Sequence, residues 1–318
     1  VCDAPRVAGA LAFLSHAGVV GPRVGARSPI TAAQVLLTQT CANLLEAAGH
    51  NVDPRALVAA YGRPFVLGLL RVELFPSGVA PGSASLLCES PKGHVVFAGP
   101  IGLGKPGSQT LPAEIRPAAA ICLDATFAGL ETSFAPVHEA IADTVNFVKT
   151  ATASGKQPVV LASVDSLSLD LARAFVSEGF VVRAHTSFIK LAEIHTAAGL
   201  LPTPLLRFSG RIGPKELLMV PTSVKVSATL EKLKSPCLVI TAGVPIAPSD
   251  LDRLRPEGIF PLTNAATRKD LLAYIKATGT KEVATLNDAK GAFAAVLRDT
   301  GLDAYHLGPP AQMTLFAA

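Results

Sequence analysis

The chain has 318 residues, 49% of them apolar and 16% charged, with a net charge of +4, no Trp and five Cys. That length suits about two domains, and the composition predicts a compact protein with a charge-poor surface that leaves an apolar patch for a partner. The excess of base is too slight and too scattered for a dedicated nucleic-acid binder, and no apolar run reaches 18 residues, which argues against a membrane span.

The cysteines Cys2, Cys41, Cys88, Cys122 and Cys237 are odd in number and form no C-x-x-C pair. They read as reduced thiols of a cytoplasmic protein. The opening "VCDAPRVAGA" lacks the basic and apolar regions of a signal peptide.

In chain order, "GALAFLSH" (9–16) predicts a strand, and "TAAQVLLTQTCANLLEAAG" (31–49) a helix with Leu37, Cys41, Leu44 and Ala48 on one face. Four strands follow: "FVLGLLRVELFP" (65–76), "SASLLCES" (83–90), "HVVFAG" (94–99) and "AAAICLDATF" (118–127). From residue 136 helices and strands alternate: a helix at 137–155, then strand and helix at 158–163, 168–179, 181–185 and 188–199. Strands at 216–223 and 236–243 come next, then helix, strand and helix at 268–279, 282–286 and 289–301. Such alternation predicts sheets covered by helices. The Pro- and Gly-rich stretch 200–216 reads as a loop or hinge.

Gly99, Gly104 and Lys105 match the spacing of a phosphate-binding loop, but Pro106 stands where a hydroxyl and a helix start are needed. His195 reads as a surface or packing residue. Ser15 and His16 are neighbours on a strand and point to opposite faces, so they are not a nucleophile and its base.

Several stretches resemble a known family. "SHAGVVG" at 15–21 resembles a "SHAHxDH" motif, "PSGVAPGSASLLCE" a "PAGHVLGSAxxxxE" motif, and "VVFAGPIG" a "VVYTGDIG" motif. "LDATFAG" resembles "LEATYG", and 260–288 resembles "FPLSDHADFDELLAYVRATGAKRVYTLHG". These are motifs of the metallo-β-lactamase-fold nucleases of the β-CASP group, among them compact bacterial exonucleases associated with DNA ligases and messenger-RNA 3′-end processing factors. The resemblance spans nearly the whole chain.

It implies an α/β fold: a four-layer αββα sandwich from residues 1–134 and 236–318, with a reduced β-CASP-like α/β insert at 135–235. In that family the motifs hold two zinc ions. Here His16 keeps the first ligand place and Asp124 keeps an acid, while Gly18, Val20, Gly21, Val79, Pro100, Asn264, Ala265 and Asn287 stand where other ligands belong. Val, Gly, Ala and Pro offer zinc no side-chain donor. The expectation is therefore a vestigial site without metal or cofactor, in a catalytically inactive homologue acting as a structural or regulatory subunit. Its partner would be another protein or a second copy of itself. The alternative is a non-catalytic nucleic-acid binder using a cleft between sandwich and insert, lined by Lys190, Arg207, Arg211 and Lys215, with Lys225, Lys232 and Lys234 beside them. An enzyme with relocated chemistry would gather Asp124, His16 and His185.

Overall fold

The computed structural model describes residues 1–3, 10–20, 30–52, 56–90, 93–104, 107–130, 134–224, 230–243 and 248–308. They form a mixed α/β fold of three sheets and seven α-helices. Gly21, Lys105, Pro106 and Lys225 lie outside the described residues.

The first sheet is parallel, in the order β1 (Leu11–Phe13), β2 (Gln34–Leu37), β3 (Ala56–Val58). Alternation along these strands gives each face its own core. Ala12, Leu14, Val35 and Leu37 pack under helix α1 (Gln39–Ala47), against Cys41, Ala42 and Leu45. Phe13 and Leu36 point the other way, onto Val72, Leu74, Ala84 and Leu86 of a second sheet.

The predicted helix over 31–49 is thus a strand and a shorter helix. Val35 and Leu36 pair on both sides, with β1 and β3, and Leu37 pairs with β3; a strand flanked by parallel partners and covered on both faces reads as an unbroken apolar run. Thr38 marks the changeover. Its Oγ1 accepts from the Cys41 amide at 3.2 Å, capping α1, and donates to the Gly82 carbonyl at 2.7 Å.

The second sheet has seven strands. β4 (Phe65–Leu67), β5 (Leu70–Pro76), β6 (Ala84–Ser90) and β7 (Gly93–Gly99) are antiparallel neighbours. β8 (Ala120–Asp124) adds parallel to β7, and two strands from the end of the chain extend the same edge. The strand predicted over 65–76 is therefore a hairpin, turned at Gly68, whose φ of 64° suits glycine.

Helix α2 (Val137–Ala153) leads into a third sheet, wholly parallel. Its elements are β9 (Gln157–Ala162), α3 (Ser166–Ser177), β10 (Val181–Ala184), α4 (Thr186–Ala197), β11 (Leu206–Arg207), β12 (Glu216–Pro221), β13 (Pro236–Ile240), α5 (Pro248–Leu254) and β14 (Gly258–Ile259). The strand order is β11-β10-β12-β9-β13-β14. β13 pairs with β9 from Pro236 to Ile240, so the expected division at 235/236 does not fall on a sheet boundary. Hydrogen-bonded pairing carries this sheet on to Ile259.

The chain then returns with α6 (Arg268–Thr278), β15 (Glu282–Leu286), α7 (Ala292–Asp299) and β16 (Asp303–His306), the two strands joining the second sheet beside β8. Leu271, Tyr274, Phe293 and Leu297 of these helices cover the second face of the seven-stranded sheet, on Phe75, Val96 and Ile121. All five cysteines are free thiols. Among the described residues no helix is long and apolar enough to cross a membrane.

Leu36 is 1% exposed between two sheets, whereas Gln34 on the same strand is exposed. Leu36→Ala is expected to cost about 2–5 kcal/mol in urea unfolding, and Gln34→Ala less than about 0.5. Equal small losses would contradict the strand assignment.

Candidate functional site

A cavity of about 690 Å³ opens where strand ends meet. His16 arrives just after β1, Phe127 after β8, Asp165 and Ser166 after β9, Ser187 after β10 and Gly243 after β13. In open parallel sheets the crevice at the carboxyl ends of the strands is where ligands bind, because loops there diverge to opposite faces. Val79 and Ala265 line it, as do Leu44 and Leu45 of α1 and Leu191 and Ile194 of α4, two helices packed on each other.

The wall near His16 is tied together by short bonds. Asp3 accepts from the Ser15 amide and the Ser15 hydroxyl, both at 2.7 Å, and the Ser15 Oγ lies 3.0 Å from His16 Nδ1. The side chains of Ser15 and His16 thus meet and do not point to opposite faces, because both residues lie beyond the end of β1. Burial pushes the Asp3 carboxyl up and the His16 imidazole down, so each is driven toward its neutral form; the attraction between them, and that of Asp124 for His16, acts in the opposite sense. Gly18 follows at once. A Cβ there would stand 3.0 Å from the His16 ring.

The turn carrying Val79 is fixed from two sides. Ser83 Oγ accepts from the amides of Val79 and Ala80 at 3.2 Å, and Asn264 Nδ2 donates to the carbonyls of Gly78 and Val79 at 2.5 and 3.0 Å. Gly78 is left-handed (φ 78°), and a side chain there would overlap the Gly102 carbonyl.

Two helix starts face the cavity. Asp165 caps α3 by accepting from the Ser168 amide at 2.9 Å, and burial pushes its carboxyl up to about 6. His185 caps α4 through Nδ1, which accepts from the Ser187 amide at 3.2 Å. One turn on, the exposed Lys190 lines the cavity. His195, 5% exposed, lines it as well, and its Nδ1 is buried without a hydrogen-bond partner among the described residues, an arrangement that costs about 1–3 kcal/mol. Burial, then the Arg173 cation, holds His195 neutral by pushing its pKa down.

The sequence candidates divide. His16, Gly18, Val79, Asn264, Ala265 and Lys190 line this one cavity. Val20 instead belongs to the core beneath α1, and Pro100 follows β7 without reaching the cavity lining. Asp124 and Asn287 meet each other: Asn287 Nδ2 donates to Asp124 Oδ2 at 2.5 Å, and the Thr126 amide donates to Oδ1 at 2.9 Å. His185 is a helix cap rather than a third member with His16 and Asp124. The expected basic lining is split as well. Lys215 and Lys234 belong to a separate cavity of about 680 Å³ at the amino ends of the third sheet, with Lys149 and Lys156, while Arg207 and Arg211 line neither.

Sequence reading missed Asp165 and Ser166, although Asp165 three residues before Ser168 at a strand-to-helix junction is a cap signal. It also set aside His195, whose burial comes from α1 packing against α4, a contact between distant segments.

The two zinc ions of the resemblance need converging donors. Gly18, Val79, Pro100 and Ala265 supply none, and the amide nitrogens of Asn264 and Asn287 are turned to oxygen partners. Among the described residues no three His, Cys, Asp or Glu side chains are grouped to hold an ion. This donor set does not fit a two-zinc centre.

No family model matches the chain. Over 245 residues, 77% of its length, it is 24% identical to a protein of Opitutus terrae named probable DNA ligase. The matched stretch is 24% of that relative, so the chain spans about a quarter of its length. This likeness overturns the expectation of an inactive homologue serving as a structural or regulatory subunit, since it points to an enzyme of nucleic acid. Physically, the missing ligands speak against one two-metal chemistry and do not bear on activity carried by other groups.

Burial holds His195 below the ordinary imidazole value of 6.5, so its neutral form contributes stability that is full above that value and lost as pH falls through the folded pKa. Asp165, raised to about 6, has the opposite sign in the same window, losing its contribution as pH rises. His195→Gln is expected to reduce the loss of unfolding free energy between pH 7 and about 5. An unchanged slope would contradict the burial of a neutral imidazole at this position.

Proposed function

We propose that this chain is a nucleic-acid-processing enzyme that receives a strand end in the cavity at the carboxyl ends of the third sheet. The observation that carries the reading is the convergence there of Lys190, the first turns of α3 and α4, and His16. Helix amino ends and an ammonium favour phosphate oxygens. A neutral imidazole beside carboxylates can take or deliver a proton. The likeness to a protein named for DNA ligation supports placing the substrate among the ends that such an enzyme seals.

The motif words and the four successive layers of buried contacts, α1 on the first sheet, that sheet on the second, and the second on α6 and α7, support a metallo-β-lactamase-type αββα sandwich. The wholly parallel sheet then takes the place of a β-CASP insert, running from about residue 135 to about 260.

Binding of labelled single-stranded DNA, single-stranded RNA and duplex DNA, measured by anisotropy at stepped salt, tests the first part. Lys190→Glu is expected to weaken binding roughly tenfold and to reduce the salt slope by about 1. Absence of affinity at low salt would overturn the reading. For turnover of strand ends, His16→Ala is expected to lower the rate about 100-fold or more with binding changed less than about twofold. A wild-type chain that turns over no end, with or without added divalent metal, would refute the catalytic part.

A further inference from the structure

Ser15 is 1% exposed and takes no part in the cavity lining, so its hydroxyl is out of reach of a substrate there. Its contacts bear instead on the ring beside it. Both oxygens of the Asp3 carboxylate are engaged by this one residue: Oδ1 accepts from the Ser15 amide and Oδ2 from the Ser15 hydroxyl, each at 2.7 Å. These two bonds favour the ionised carboxylate against the burial that raises its pKa. A hydroxyl carries one hydrogen, and here that hydrogen is committed to Asp3. The 3.0 Å contact between Ser15 Oγ and His16 Nδ1 is then a hydrogen bond only if Nδ1 carries the hydrogen and donates it. A neutral imidazole has a single N–H, so Nε2 is left as a bare acceptor.

The ring edge formed by Cδ2 and Nε2 lies beside Gly18, which is exposed and lines the cavity together with His16. A Cβ on Gly18 would stand 3.0 Å from both of those ring atoms, so glycine keeps the approach to Nε2 open. Asp124 also acts on His16 through its charge, but its Oδ1 is taken by the Thr126 amide and its Oδ2 by Asn287. Neither ring nitrogen is drawn to it.

We propose that Asp3 and Ser15 are positioning residues that fix His16 as the Nδ1–H tautomer and present Nε2 to the cavity as a general base. This rests on the nucleic-acid reading above for its substrate, which supplies a water or a strand-end hydroxyl as the proton donor. The O–H bond of that group breaks, its proton joins Nε2, and the electron pair stays on the oxygen. Nδ1–H goes on donating to Ser15, and the Asp3 carboxylate behind it faces the positive charge that forms on the ring.

The test reads the ring directly and needs no substrate. The full chain is isotope-labelled at its histidine nitrogens, and proton–nitrogen correlations across the ring are recorded at about pH 8, the His16 signals being those lost in His16→Gln. The wild type is expected to show a protonated Nδ1 and a bare Nε2. Asp3→Asn is expected to reverse that pattern, because the asparagine oxygen stays with the Ser15 amide, its NH₂ turns to Oγ, and the freed hydroxyl hydrogen goes to Nδ1. Ser15→Ala is expected to lose the Nδ1–H tautomer, and Ser15→Thr, which keeps the hydroxyl, to retain it. In turnover of strand ends, Asp3→Asn is expected to lower kcat roughly 100-fold with KM changed less than about twofold. A protonated Nε2 in the wild type, or an Nδ1–H tautomer that survives in Asp3→Asn, would overturn the proposal. A wild type that shows the expected tautomer and turns over no strand end would remove the catalytic reading and leave the positioning by Asp3 and Ser15 standing.

Discussion

The arrangement depends on one constraint: parallel strands deliver their loops to the same end. β1, β9, β10 and β13 all run in parallel ladders, and each places a cavity residue within a few positions of its last paired residue. Antiparallel neighbours would send alternate loops to opposite edges. The strand ladders are fixed by ordinary apolar burial, with Val159, Val160 and Val239 wholly enclosed, so the site inherits its geometry from the core and not from its own polar contacts.

Polar groups then tune what the ladders have placed. Asn264 reaches back to the turn after β5, joining segments almost 190 residues apart in sequence. The loop after β7 is held to the third sheet's helices through the Ser108 amide, which donates to Asp170 at 3.1 Å, and through Gln109, which accepts from the Leu201 amide at 2.5 Å. These contacts join the loops after β5 and β7 to segments distant in sequence. Within the cavity, burial is the largest influence on His16, Asp165 and His195, and each is moved toward its neutral form. Lys190 stands at the exposed rim of the cavity.

Much of the layout was legible in the sequence, because strand-helix alternation after residue 136 has one simple solution, a covered parallel sheet. The segment 31–49 was not, since a buried strand followed directly by a helix leaves a continuous apolar pattern that also fits a single helix. Nor was the extent of the third sheet, because pairing of Pro236–Ile240 with β9 is a contact across some 80 residues. At the site, His16, Val79 and Ala265 were found through motif words, and the structure brings them together. The lysines and arginines were chosen for charge alone, and the fold scatters them over both ends of the sheet. His195 was missed because a lone histidine on a helix carries no sign of what will pack over it.

The most direct measurement of the central claim is hydrogen exchange with and without a single-stranded oligonucleotide. Slowed exchange is expected, confined to the loop after β1, the start of α3 and residues 186–195 of α4. Protection at the amino ends of the same sheet instead, around Lys156 and Lys215, would contradict a strand end seated among the carboxyl ends.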